Sequence, residues 1–253
     1  MPEALAGALT LPGLPLVVAA ALAAGLVYGF AGFGGALVFM PVAARVLGPQ
    51  PAVAALALMA LSSWFTILPA AWRACDRRAA VAMILTALPA IGLGVVVLGL
   101  GDPVALRWAI LALCAATLAA LLTGWRRRAQ DGWGARLAVA VGAGFSGGAT
   151  GLNGPVLVLF HLSGQGSAVA TRANTAVFLT VTGFAVLPAM AVQGLIDTRS
   201  LVLGVLLALP YAAGSLIGRA LFVPDRDRTY RRVAHAVILG AILAGLPIWD
   251  GRA

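Results

Sequence analysis

The chain has 253 residues, 62% of them hydrophobic and only 10% charged, against about 25% charged residues in a soluble domain. So little polar surface cannot cover a globule in water, so the solvent is mostly lipid; at about 20 residues per spanning helix the length admits six to eight membrane segments and no sizeable soluble domain. The net charge of +9 comes from arginine alone, with no lysine, and these arginines sit in short loops, where they read as topology signals and contacts with anionic lipid headgroups, not as a nucleic-acid surface.

Glu3 and no basic segment precede the first apolar stretch, so that stretch is expected to belong to the mature protein and not to a cleaved signal peptide. Residues 14–47 form one apolar run, too long for a single crossing and interrupted by Gly29-Phe30-Ala31-Gly32-Phe33-Gly34-Gly35. Runs at 51–71, 79–100 and 103–123 follow, each about the length of a hydrocarbon core. Residues 137–163 are interrupted again, by Gly144-Phe145-Ser146-Gly147-Gly148-Ala149-Thr150-Gly151-Leu152-Asn153-Gly154-Pro155. Glycine costs a helix about 1 kcal/mol relative to alanine, so neither glycine run is expected to hold a regular helix. Three more spanning runs, 171–193, 199–221 and 231–249, complete the chain. Cys75 and Cys114 lie far apart and imply neither a metal site nor a disulfide framework.

Each interrupted segment either crosses the membrane as a broken helix or returns to its own side as a re-entrant hairpin. If both cross, the seventeen arginines divide almost evenly between the two faces. If both return, thirteen share one face and only Arg45, Arg107, Arg199 and Arg252 stay on the other. The second partition is what the positive-inside bias requires. It makes the protein multi-pass, with both termini away from the cytoplasm.

The halves repeat. Gly29-Phe30-Ala31-Gly32 returns as Gly144-Phe145-Ser146-Gly147, Leu68-Pro69-Ala70 as Leu187-Pro188-Ala189, and Thr86-Ala87-Leu88-Pro89 as Leu207-Ala208-Leu209-Pro210. The order is kept and the offset drifts slowly, as small loop insertions would produce. With one hairpin and three crossings per copy, the second copy enters the bilayer upside down. The expected fold is all-α and integral to the membrane. Residues 1–125 form a first repeat and 126–253 an inverted second one, in a single membrane domain.

Non-helical backbone at membrane depth persists only where protein buries it or a wet cavity adjoins it. The two glycine tips are therefore the candidate site: Gly32, Phe33, Gly34 and Gly35 in the first, Gly147, Gly148, Thr150, Gly151 and Asn153 in the second, with Arg172, Asn174 and Thr175 opening the next helix. Pro155 suits a first helical turn, whose free N–H groups and dipole favour an anion. Thr150 and Asn153 are potential oxyanion donors. Ser62, Ser63 and Thr66 are polar positions in the corresponding helix of the first half, although such hydroxyls often bond back to their own helix. All eight acids fall in loops or at segment ends, so none is placed to bind a cation or relay protons through the centre. No nucleophile adjoins a base and no metal-ligand spacing occurs, so no catalytic residue, metal or cofactor is expected.

These tips resemble the duplicated modules of the TauE/SafE sulfite exporter family, and Arg172-Ala173-Asn174 is similar to the step that follows the hairpin in that family's second module. The similarity spans nearly the whole chain, although the first tip has no polar residue matching Asn153. The resemblance implies a transporter of sulfite, organosulfonates or related oxyanions and carboxylates in a bacterial inner membrane, a small anion being the substrate and a homo-oligomer being compatible with it. The alternative is a membrane scaffold or partner subunit that transports nothing, whose glycine tips would pack dry.

Overall fold

The computed structural model describes residues 7, 10–31, 33–123, 132–161, 168–221 and 227–249; side chains at 30, 31, 66, 158, 159, 161, 168–172, 227–231 and 249 lie outside the description. Every regular element among these residues is helical. In chain order they are α1 (Leu14–Ala31), α2 (Gly35–Val46), α3 (Pro49–Met59), α4 (Ser62–Thr66), α5 (Leu68–Ala74), α6 (Arg77–Leu100), α7 (Pro103–Thr123), α8 (Trp133–Thr150), α9 (Gly154–His161), α10 (Ala168–Val192), α11 (Thr198–Leu221) and α12 (Asp227–Gly245), with a 3-10 turn at Pro247–Trp249.

Four helices are long and apolar enough to cross a membrane: Arg77–Leu100, Pro103–Thr123, Ala173–Val192 and Thr198–Leu221. Their outward faces are apolar, with Leu93, Val205 and Leu209 between 64% and 75% exposed, as a lipid solvent requires. A fifth span would be Pro49–Phe65 joined to Leu68–Ala74 across a 65° bend. The sequence suggests one helix over 51–71; the structure breaks it into α3, α4 and α5. Pro69 sits in the first turn of α5 and lacks the N–H that a helix continuing from α4 would need there. The last run forms α12, which ends at Gly245 just ahead of Pro247.

The glycine runs behave differently from the expectation as well. α8 continues through Gly144, Gly147 and Gly148 to Thr150 and stops only at Gly151. Packing explains this, because α6 and α8 run side by side at very short range. A Cβ at Gly144 would meet the Ala87 carbonyl oxygen, and one at Gly148 the Ile91 carbonyl oxygen. Helices without Cβ atoms on the facing side can bring backbones together and recover in contact what glycine loses in propensity. α1 and α11 pair in the same way, Gly25 against Tyr211 and Gly29 against Ser215 on one side, Gly214 and Gly218 against Leu22 and Leu26 on the other. Both pairs are parallel, residue numbers rising together along the contact.

The bundle has two chemically distinct ends. At one, the Asp76 N–H donates to Asn174 Oδ1 at 2.8 Å, Arg136 lies 3.9 Å from the Asp76 carboxylate, and Arg78 and Arg136 stack over Trp133. At the other, Gln50 donates to the Leu98 carbonyl at 3.1 Å and Arg45 to the Ala244 carbonyl at 2.8 Å. α1 and α2 fold back on each other, so that the chain just before α1 touches the end of α2: a Cβ at Gly13 would stand 3.0 Å from Val46 Cγ1. α8 and α9 fold back likewise, Gly142 lying beside Val156 and Gly147 beside Asn153. The first hairpin starts from the Arg45 end and the second from the Arg136 end. Their turns meet in the middle, over a core that includes Phe39, Met40, Ile91, Leu152 and Phe178.

Candidate functional site

Both hairpin turns depend on a glycine in left-handed backbone. Gly34, at φ 91°, precedes the first residue of α2; Gly151, at φ 72°, ends α8 while its N–H donates to the Gly147 carbonyl at 2.9 Å. A side chain is strained at either position. The second turn packs against the first hairpin, since a Cβ at Gly151 would come 3.2 Å from Met40 Sδ on α2 and 3.3 Å from Leu56 on α3.

Between the turns lies a cavity of about 90 Å³, several times what one water molecule needs. Phe33, Gly34 and Gly35 border it from the first turn, and Gly147, Gly151, Asn153, Gly154 and Pro155 from the second. Its side walls are two helical faces at three- and four-residue spacing: Val53, Leu56 and Ala57 of α3 continued by Ala60 and Ser63, and Leu179, Thr180, Gly183 and Val186 of α10. Tyr28, Thr117 and Tyr211 complete it, and the two tyrosine rings are 6.0 Å apart at 34°. The first residues of α2 and α9, Gly35 and Gly154, are both on the wall, where the first N–H groups of a helix have no carbonyl partner in their own helix. Among the described residues no charged side chain borders this cavity. Uncharged donors and two helix dipoles are what it offers a ligand.

A second, wider cavity of about 480 Å³ lies between α1, α5, α10 and α11, bordered by Ser62, Ala74, Ala173, Ser215 and Arg219 among others. Arg219 has no acidic partner among the described residues. Tyr28 borders both this vestibule and the central chamber.

Of the residues singled out in the sequence, Phe33, Gly34, Gly35, Gly147, Gly151 and Asn153 border the central cavity. Gly148 is not on its wall and packs against α6 instead. Thr150 is buried and donates to the Ser146 carbonyl at 2.7 Å; a hydroxyl in a continuing α8 has that acceptor at hand. Asn174 binds the Asp76 N–H at the basic end, and Thr175 is buried off the cavity wall. Gly32 and the side chain of Arg172 lie outside the described residues. Ser62 bonds back to the Met59 carbonyl at 3.1 Å, whereas Ser63 borders the cavity. Tyr28, Thr180 and Tyr211 carry no sequence signal that separates them from other hydroxyls in apolar helices. Only the fold brings them to the chamber.

Asn153 is held in a defined orientation. Its Nδ2 donates to Thr182 Oγ1 at 3.0 Å and to the Leu179 carbonyl at 3.4 Å, and Thr182 in turn donates to the Phe178 carbonyl at 2.6 Å. A carbonyl can only accept, so the amide nitrogen must face α10.

The family model described as sulfite exporter TauE/SafE matches residues 17–245. Neither a curated protein nor a solved structure matches the chain.

Proposed function

The chain belongs to the TauE/SafE sulfite exporter family, and on that premise we propose that it moves a small sulfur oxyanion across the membrane through the chamber between its two glycine turns. The observation that carries this is the chamber itself, bordered by Gly34 and Gly35 on one side and by Gly151, Asn153 and Gly154 on the other. A scaffold would have no need of a space between the turns, and a chamber there weighs against that reading.

The substrate is a sulfite, an organosulfonate or a related oxyanion or carboxylate, held by the N–H groups at the starts of α2 and α9 and by hydroxyls of the wall. Neutral donors suit transport, because a buried arginine at full contact would hold an anion too tightly to release it. The hairpins are re-entrant, and residues 1–125 and 126–253 are inverted copies. The packing supports this: exchanging α1 with α8, α2 with α9, α3–α5 with α10, α6 with α11 and α7 with α12 turns the α1–α11 contact into α8–α6, α3–α11 into α10–α6, and α2–α12 into α9–α7. Such a protein sits in a bacterial inner membrane with its basic end, rich in arginine and tryptophan, toward cytoplasmic anionic headgroups and both termini outside. The vestibule then opens to the cytoplasm, and Arg219 on its wall gathers anions at that end.

Gly183 offers a direct test. A Cβ there would find only Asn153 Nδ2, at 3.9 Å, so a side chain can grow into the chamber without moving backbone. In proteoliposomes with a set membrane potential, Gly183→Leu is expected to abolish sulfite flux while Gly183→Ala keeps most of it. Unchanged flux in Gly183→Leu would remove the chamber from the pathway.

A further inference from the structure

Helical threonines in this protein have a common habit. Thr86, Thr117, Thr150 and Thr182 each donate to the carbonyl four residues earlier, at 2.6 to 2.8 Å. Thr180 does not. It is 4% exposed, borders the central chamber, and its Oγ1 has no hydrogen-bond partner among the described residues. A buried hydroxyl without a partner is costly, and the local remedy that its neighbours use is left untaken. Asn153, which also borders the chamber, has both Nδ2 hydrogens engaged by Leu179 and Thr182. The atom of that amide left for the chamber is Oδ1, which accepts and cannot donate.

We propose that Thr180 and Asn153 form a donor–acceptor pair that selects a singly charged oxyanion carrying its own acidic hydrogen, as hydrogensulfite does, over dianions and over monoanions without such a hydrogen. This rests on the transport reading above and specifies its substrate class. The Thr180 hydroxyl and the amides at Gly35 and Gly154 donate to the ligand's bare oxygens. The ligand's own hydrogen donates to Asn153 Oδ1, and an unprotonated oxygen placed there would face the carbonyl lone pairs with nothing between them. A second negative charge would go unmatched, since no charged side chain among the described residues borders the chamber.

The titration belongs to the ligand. Tyr28 and Tyr211 are the titratable groups on the wall, and tyrosine ordinarily titrates near 10. On the helices packed against α10, the charged groups with described side chains, Arg73 of α5, Arg77 and Arg78 of α6 and Arg136 of α8, lie with Asp76 at the basic end; α3 has none.

Calorimetry on the detergent-purified protein, with sulfite titrated at pH values on both sides of the hydrogensulfite–sulfite equilibrium, tests this. Methanesulfonate and sulfate are the comparison ligands. Affinity per total sulfite is expected to fall with rising pH in proportion to the hydrogensulfite fraction, with methanesulfonate and sulfate bound at least about tenfold more weakly. Thr180→Val is expected to weaken hydrogensulfite binding about tenfold and Thr180→Ser to restore it. Equal binding of methanesulfonate or sulfate, a flat pH profile, or wild-type affinity in Thr180→Val would overturn the selection and leave the transporter reading standing. Binding of no sulfur oxyanion at any pH would bring both down. Should Thr180→Val not fold, the wild-type ligand series and its pH profile decide alone.

Discussion

Gly144, Gly148 and Gly151 stand within one short stretch, yet the structure uses them for different ends. The first two give up side chains so that α8 can lie against the α6 backbone, and the third turns the chain. A carbonyl oxygen fixed in a helix cannot step aside. Gly148→Val is therefore expected to lower stability by about 1–3 kcal/mol through overpacking, seen as a lower melting temperature in detergent. Gly240 on α12 has open space where its Cβ would be, so Gly240→Ala should leave the melting temperature equal or higher, by up to about 1 kcal/mol of stability. Equal effects from the two substitutions would mean the α6–α8 contact is not close. Asn153 admits a sharper test. Asn153→Asp keeps the shape and places a carboxylate against the chamber, and sulfite flux is expected to fall at least about tenfold, a barrier change of about 1.4 kcal/mol.

At the scale of elements, the matter is where each hairpin begins and ends. Thr10 and Gln50 flank the first hairpin, while Gly132 precedes the second at the Arg136 end. In a background with Cys75 and Cys114 replaced by serine, Thr10→Cys and Gln50→Cys are expected to react with a membrane-impermeant thiol reagent from the same side, and Gly132→Cys from the opposite side. Labelling of Thr10→Cys and Gln50→Cys from different sides would make the first hairpin a crossing. The vestibule gives a second prediction. Arg219 lies at its wall, exposed and without an acidic partner among the described residues. Its pull on an anion is screened by salt, over about 8 Å at physiological ionic strength. Arg219→Ala should slow uptake from the vestibule side several-fold at low ionic strength, with the difference shrinking as salt is added.

For the molecule as a whole, a monovalent anion in a negative-inside cell is driven outward by about 2.3 kcal/mol per 100 mV. An exporter of such an anion needs no second gradient. Sulfite flux in proteoliposomes should therefore follow the imposed potential and be indifferent to a sodium gradient at constant potential. A flux that needs sodium would require a cation site on the pathway and would overturn uncoupled export.

The sequence by itself determined the lipid solvent, the helical class and the family, because these are carried by composition and short local motifs. Hydrophobic length cannot see a bend, so the break at Pro69 was legible only in the fold. Glycine density alone cannot separate close packing from turning, since both ask for a missing Cβ and differ only in what stands opposite. The same limit governs the site. Thr150 and Asn153 look alike as donors in the sequence, but one hydroxyl is absorbed by its own helix and one amide is turned by a carbonyl on α10. Thr180, indistinguishable in the sequence from other hydroxyls in apolar helices, becomes a ligand group because tertiary packing leaves it at a cavity with no partner among the described residues. What a polar side chain can offer is set by which of its hydrogen bonds are already made, and only the folded neighbourhood decides that.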